Sequence, residues 1–262
     1  MRRFGTVTML VVTMALSLPA AANETEGPVH LALGDSVAWG FGTERPDHHG
    51  YSAVLSRFAR SMDCREDEPA GCPRLELVNM SVPGAKSGDL IEDQLPDALA
   101  LLEARNGDTD PGNDVELITI TIGGNDLFQP VVDACLGGVT DTCVGVIVSG
   151  LNDYADNLAV ILGGLRAAAP DTEIVIMTYY NPLGTCVLAD LTLLADNVLE
   201  GLGGLPTGLN PIIRATAQGF GVKVAETHLL LDDQDFVGGN DCLHPDKSGY
   251  HKIAKAFEAV LD

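Results

Sequence analysis

Residues near the two ends of the chain carry the side chains that acyl transfer requires. Ser36 follows Gly34-Asp35 at the end of the apolar run Val29-His30-Leu31-Ala32-Leu33. A serine hydroxyl is a weak nucleophile at neutral pH; it needs an adjacent base, and the base needs a third group to fix its tautomer. Asp241-Cys242-Leu243-His244-Pro245 supplies both. A separation of three residues lets the carboxylate reach the Nδ1–H of the imidazole while Nε2 faces outward. Of the six histidines, only His244 has an acidic residue at that distance upstream and a proline after it. His30 lies inside a strand, His48 and His49 in a polar loop, His228 after a strand and His251 on the last helix, so these read as structural or solvated. Acyl transfer also needs donors aimed at the developing oxyanion, each worth roughly 3 kcal/mol. Gly84, whose bare backbone N–H admits close approach, Asn125, with its side-chain amide, and the N–H of Ser36 itself are the candidates.

The elements that must position these residues can be read from periodicity. Short apolar runs at 29–33, 75–80, 115–122, 174–178 and 222–225 read as strands, and each runs into a polar or glycine-containing segment. Between them, Val54, Leu55 and Phe58 share a helical face, as do Leu90, Ile91, Leu95, Leu99 and Leu102, with Pro96 expected to kink or divide that helix. Residues 151–169 form a further amphipathic helix, and a last helix starts near Ser248. Asp241 to His244 read as a loop. Strands alternating with helices imply a parallel sheet covered on both faces, with ligands at the strands' carboxyl ends. The glycine-rich segment 201–208 lacks the Lys-Ser/Thr of a phosphate cradle and reads as a loop near the acyl pocket.

Composition narrows the function. The formal net charge is -22 over 262 residues, which repels nucleic acid and anionic lipid headgroups. Met1-Arg2-Arg3, the apolar stretch to Leu18 and Pro19-Ala20-Ala21-Ala22 have the layout of a secretory signal. Residues 1–22 are therefore expected to be removed, leaving 23–262 as a single exported domain with no stable membrane insertion. Six cysteines in an exported chain suggest disulfides. Spacing pairs Cys64 with Cys72 and Cys135 with Cys143, leaving Cys186 with Cys242. No metal is expected, because no cysteines have zinc-site spacing and Asp232-Asp233-Gln234-Asp235 lacks the register of an EF-hand.

Gly34-Asp35-Ser36, Gly84 after Asn79-Met80-Ser81, Gly123-Gly124-Asn125-Asp126 and Asp241-Cys242-Leu243-His244-Pro245 occur in one order across nearly the whole chain beyond the signal. In these blocks the sequence resembles the SGNH hydrolases, also called GDSL lipases and esterases, with Val37 where the family's name implies leucine. The resemblance implies a three-layer, doubly wound α/β fold of flavodoxin type with about five parallel strands. It implies Ser36 as nucleophile, His244 as base, Asp241 as orienting acid, and Ser36, Gly84 and Asn125 as the oxyanion hole. It also implies no cofactor and a small ester or lipid substrate, and the export signal and cysteines look like the secreted bacterial branch. A monomer is expected. A polysaccharide acetylesterase, an acyltransferase on the same scaffold, and a non-catalytic glycan- or lipid-binding module are the alternatives. The absence of a G-x-S-x-G elbow argues against an α/β-hydrolase fold.

Overall fold

The computed structural model describes residues 27–59, 73–185, 188–239 and 241–261. The expected signal segment, together with Cys64, Cys72 and Cys186, lies outside the described residues. Five parallel strands form the central sheet: β1 (Val29–Gly34), β2 (Glu76–Asn79), β3 (Val115–Thr121), β4 (Glu173–Met177) and β5 (Lys223–Ala225), in the order β2-β1-β3-β4-β5. This is the flavodoxin-type order, in which winding reverses between β1 and β3 and opens a crevice at their carboxyl ends. β1 and β3 are buried along their whole length, as expected for strands covered on both faces. They run in register from His30↔Leu117 to Gly34↔Thr121.

The helices, in chain order, are α1 (Ser36–Trp39), α2 (Pro46–His49), α3 (Tyr51–Phe58), α4 (Ser87–Asp89), α5 (Leu95–Asn106), α6 (Gly124–Cys135), α7 (Asp141–Ala168), α8 (Thr192–Glu200), α9 (Leu209–Gly219) and α10 (Lys247–Glu258). Helices α3 and α10 cover one face, where the Tyr51 and Phe257 rings stack at 4.6 Å. Helices α5, α7 and α9 cover the other. Pro96 divides its helix as expected: it stands in the first turn of α5, where a missing N–H costs little, after a π-helical turn over Leu90–Gln94. No helix among the described residues is long and apolar enough to cross a membrane.

Three sequence expectations need correction. The helix expected from residue 151 starts at Asp141, capped by the Thr140 side chain, and Cys143, Ile147, Leu151 and Tyr154 continue one buried stripe. The turn expected at Gly123 to Asp126 contains the start of α6, so Asn125 stands in a helix's first turn. Residues 241–245 are not a loop but strand β7 (Asp241–Pro245), paired antiparallel with β6 (Phe236–Gly238). The Cys135–Cys143 disulfide is present, with 5.0 Å between its Cα atoms, and ties the end of α6 to the start of α7. Cys242 is also disulfide-bonded.

β1 carries an ionisable group into the core. His30 is fully buried, with Nδ1 at 2.6 Å from Ser56 Oγ and Nε2 at 2.7 Å from Thr119 Oγ1. The Ser56 hydroxyl already donates to the Ser52 carbonyl, so the network assigns the proton to Nδ1. Burial lowers the His30 pKa to about 3. The unfolded chain therefore takes up a proton near pH 6.5 that the folded chain refuses until about pH 3, so the stability from His30 is complete above pH 6.5 and drains away as pH falls. His30→Gln removes this dependence. In urea titrations the stability advantage of wild type over His30→Gln is expected to shrink by about 1.4 kcal/mol per pH unit on acidification below pH 6. A pH-independent difference would show that His30 enters the fold charged.

Candidate active site

The sharp turn that presents Ser36 is built at the end of β1. Gly34 has φ +128°, and its N–H and carbonyl are both held by the side-chain amide of Gln94, each at 2.8 Å. Asp35 then caps α1: its Oδ1 accepts from the Val37 N–H at 3.0 Å and the Thr121 hydroxyl at 2.9 Å, and its Oδ2 accepts from the Tyr179 hydroxyl. Burial pushes the Asp35 carboxyl up to about 6, against the opposing pull of those donors. The carboxylate thus ties α1, β3 and the end of β4 together beneath the serine. Ser36 occupies the first position of α1, with its backbone carbonyl accepting from the N–H groups of Gly40 and Phe41.

The hairpin β6–β7 brings the other two residues to this point. His244 Nε2 lies 2.9 Å from Ser36 Oγ, and Nδ1 lies 2.8 Å and 3.0 Å from the two oxygens of Asp241. An Nδ1–H donating to Asp241 leaves Nε2 as the acceptor for the serine proton. Asp241 Oδ1 also faces the backbone N–H groups of Leu243 and His244, both at 3.3 Å. The hairpin's own base is pinned by Lys252, which contacts Asp232 at 3.3 Å and also Asp235. Asp232 Oδ1 also accepts from the Gln234 N–H at 3.0 Å, and Asp235 Oδ2 from the Asp232 N–H at 2.9 Å.

Of the other two candidate oxyanion donors, Asn125 lines the cavity and Gly84 does not. Asn125 lines the same cavity as Ser36 and His244; one hydrogen of its amide is fixed on the Ala85 carbonyl at 3.0 Å, and the second remains to be donated. Gly84, at φ +86°, lies in a turn closed by Ala85 N–H on the Val82 carbonyl, and Val82 N–H in turn bonds to the Gly34 carbonyl at 3.0 Å. The turn bearing Gly84 is therefore tied to both the serine strand and Asn125. Asp126 braces it from behind by accepting from the Ser87 N–H at 3.0 Å and from the Ser87 hydroxyl, while Asn157 donates to Ser87 Oγ at 2.9 Å. Burial raises the Asp126 pKa.

Ser36 and His244 open on a cavity of about 150 Å³ whose walls are mostly apolar. Phe128 and Val131 of α6 form one wall, and Leu194, Val198 and Leu199 of α8 another. These helices belong to the long connections after β3 and β4, and α8 ends at the glycine-rich segment. Gln94 and Tyr179 are the supporting residues that sequence reasoning missed. Tyr179 could have been found as a polar residue just past β4, at the edge where ligands bind; Gln94 has no local signal.

Fold and site together define a class: a doubly wound α/β protein with serine, imidazole and carboxylate hydrogen-bonded in series at the crevice. The chain belongs to the GDSL-like lipase/acylhydrolase family, whose sequence profile matches residues 32–252. Among solved structures it is similar to an extracellular lipase from Streptomyces rimosus, at 17% identity and TM-score 0.61 over 90% of this chain and 100% of that one. A phospholipase A1 from Streptomyces albidoflavus matches at 19% identity and TM-score 0.59, again over 90% and 100%. A lipase from a goat rumen metagenome matches at 18% identity and TM-score 0.59 over 88% and 96%. No curated protein matches the chain in sequence.

Proposed function

We propose that this chain is an exported carboxylic ester hydrolase acting on acyl lipids through an acyl-enzyme. The observation that carries the reading is the series Asp241–His244–Ser36, at 2.8 Å and 2.9 Å, opening on an apolar cavity. Ser36 Oγ attacks the ester carbonyl carbon as His244 Nε2 takes its proton, and the N–H of Ser36, the N–H of Gly84 and the free amide hydrogen of Asn125 receive the oxyanion. The tetrahedral adduct collapses with the imidazolium proton passing to the departing alkoxide, which leaves as alcohol. Water, deprotonated by His244, then attacks the acyl-serine; the acid departs and Ser36 recovers its proton. Asp241 holds the tautomer and stabilises the imidazolium. The layout of residues 1–22 supports export, with cleavage after the signal.

Cavity size favours acyl chains over acetyl groups. An apolar protein cavity of about 150 Å³ accommodates benzene, a six-carbon group; an acetyl methyl would leave most of such a space unfilled. With p-nitrophenyl esters of increasing chain length, kcat/KM is expected to peak at acyl chains of about four to eight carbons and to exceed that for the acetate by at least about tenfold, since each buried methylene is worth about 0.8 kcal/mol. Acetylated xylan assayed alongside is expected to be the poorer substrate. A profile highest for acetate, with acetylated xylan turned over faster, would make the polysaccharide acetylesterase reading the correct one.

A further inference from the structure

A second apolar feature touches the imidazole from outside the acyl cavity. The Phe41 ring lies 4.6 Å from that of His244, tilted by 50°, and the Trp39 ring lies 6.1 Å beyond Phe41. Neither aromatic lines the cavity, although Ser36 and His244 both do. Trp39 is 40% exposed, Phe41 41%, and Val237 of the neighbouring hairpin 42%. Single exposed apolar side chains are ordinary; a contiguous group beside a reactive centre is not.

This ledge is held rigidly. The Phe41 N–H donates to the Ser36 carbonyl at 2.9 Å, and its carbonyl accepts from the Tyr250 hydroxyl at 2.7 Å. At Gly42 a Cβ would stand 2.8 Å from Val237 Cγ2 and 3.1 Å from His244 Cβ, so the loop lies flat against the strand that carries the base. The rings are therefore exposed by a fixed backbone, with little ordering left to be done on binding.

Reaction geometry says what meets them. The acyl substituent of the bound ester enters the cavity, while the departing oxygen must face His244 Nε2 to receive its proton. Whatever the oxygen carries extends past the imidazole and reaches Phe41, then Trp39. We propose that Trp39 and Phe41 form the alcohol-side subsite and that it takes apolar alcohols, alkyl or aryl, rather than sugar hydroxyls. Flat aromatic faces with Val237 beside them offer contact area, whereas the hydroxyl of Thr43 on the same loop is turned inward onto the Gly40 carbonyl at 3.0 Å. The proposal rests on Ser36 and His244 acting as nucleophile and base.

Butyrate esters of methanol, hexanol and benzyl alcohol keep the acyl group constant and vary only this side. In wild type, kcat/KM for the hexyl and benzyl esters is expected to exceed that for the methyl ester by about tenfold, and Trp39→Ala and Phe41→Ala to reduce that ratio to near one. Using the ratio cancels any general disturbance of His244 in the Phe41 variant. Trp39 is the sole tryptophan, so binding can be read without turnover. In Ser36→Ala, hexyl butyrate is expected to shift its emission to shorter wavelength and methyl butyrate to leave it unchanged. Unchanged ratios in both variants overturn the proposal, as does an equal emission response to the two esters or a larger one to an acetylated xylobiose. If instead Ser36→Ala remained active, the proposed chemistry would fail, and the emission series would still report on the ledge by itself.

Discussion

Ser36→Ala is expected to lower kcat by about 10⁴- to 10⁶-fold, the range seen when the nucleophile of a serine–histidine–carboxylate set is removed. Among the described residues the side-chain oxygen of Ser36 bonds only to His244 Nε2, and the turn around it is held by backbone atoms, Gln94 and Asp35. Deleting that oxygen therefore removes the attacking atom without loosening the support beneath it, and the thermal midpoint is expected to stay within about 2 °C of wild type, because a loss below 1 kcal/mol moves a domain of this size by no more than a few degrees. Because the three residues act as a unit, Ser36→Ala/His244→Ala is expected to lose no more activity than Ser36→Ala alone. A fluorophosphonate probe gives the matching covalent readout: one equivalent on the Ser36 peptide of folded wild type, none on the variant. Folded wild type that stays unlabelled at Ser36 would leave the non-catalytic glycan- or lipid-binding module as the better description, and a folded variant with full turnover would mean that Ser36 is not the nucleophile.

Much of this arrangement is legible in the sequence where a local pattern coincides with a tertiary role. β3 is β-branched, buried and stopped by two glycines, so its carboxyl end could be placed and Asn125 found just beyond it. Asp241 and His244 are recognisable because a three-residue spacing survives whether the backbone is loop or strand. Their strand itself is not recognisable: Asp-Cys-Leu-His-Pro shows no apolar alternation, and its pairing with a three-residue partner exists only once the hairpin closes. The first ten residues of α7 are obscured by two glycines and several valines, poor helix formers that the buried stripe of Cys143 and Ile147 overrides. Gln94 shows the deeper limit. A glutamine on a leucine-rich helical run reads as a solvent-facing residue, yet it is 3% exposed, and its amide substitutes for a backbone partner 60 positions away. Asp35 is visible in the motif, but its bonds to Thr121 and Tyr179 depend on three strand ends meeting at one place.

Gly34→Ala is the stability change with the largest expected effect, because two separate constraints meet at that residue. Its φ of +128° lies where L side chains are strongly disfavoured. A Cβ built there would stand 1.9 Å from the Thr121 carbonyl oxygen, a backbone atom that cannot rotate away. That carbonyl already accepts from the Asp35 N–H at 2.9 Å, so relieving the overlap must part β1 from β3 at the crevice. The expected cost is about 4 kcal/mol, at the upper end for single substitutions, which corresponds to a thermal midpoint lower by about 8 to 16 °C. Activity at a temperature where the variant is still folded is expected to fall by at least about 10²-fold, since displacing a nucleophile by about 1 Å suffices for that. Gly84→Ala separates backbone conformation from collision. Gly84 also has positive φ, but nothing lies within 4 Å of where its Cβ would be, so only the left-handed backbone cost of about 1 to 2 kcal/mol is expected. Equal losses of stability in the two variants would mean that β1 and β3 yield freely at their carboxyl ends. The serine turn would then owe its shape to the Asp35 and Gln94 hydrogen bonds rather than to the close approach of Gly34 to Thr121.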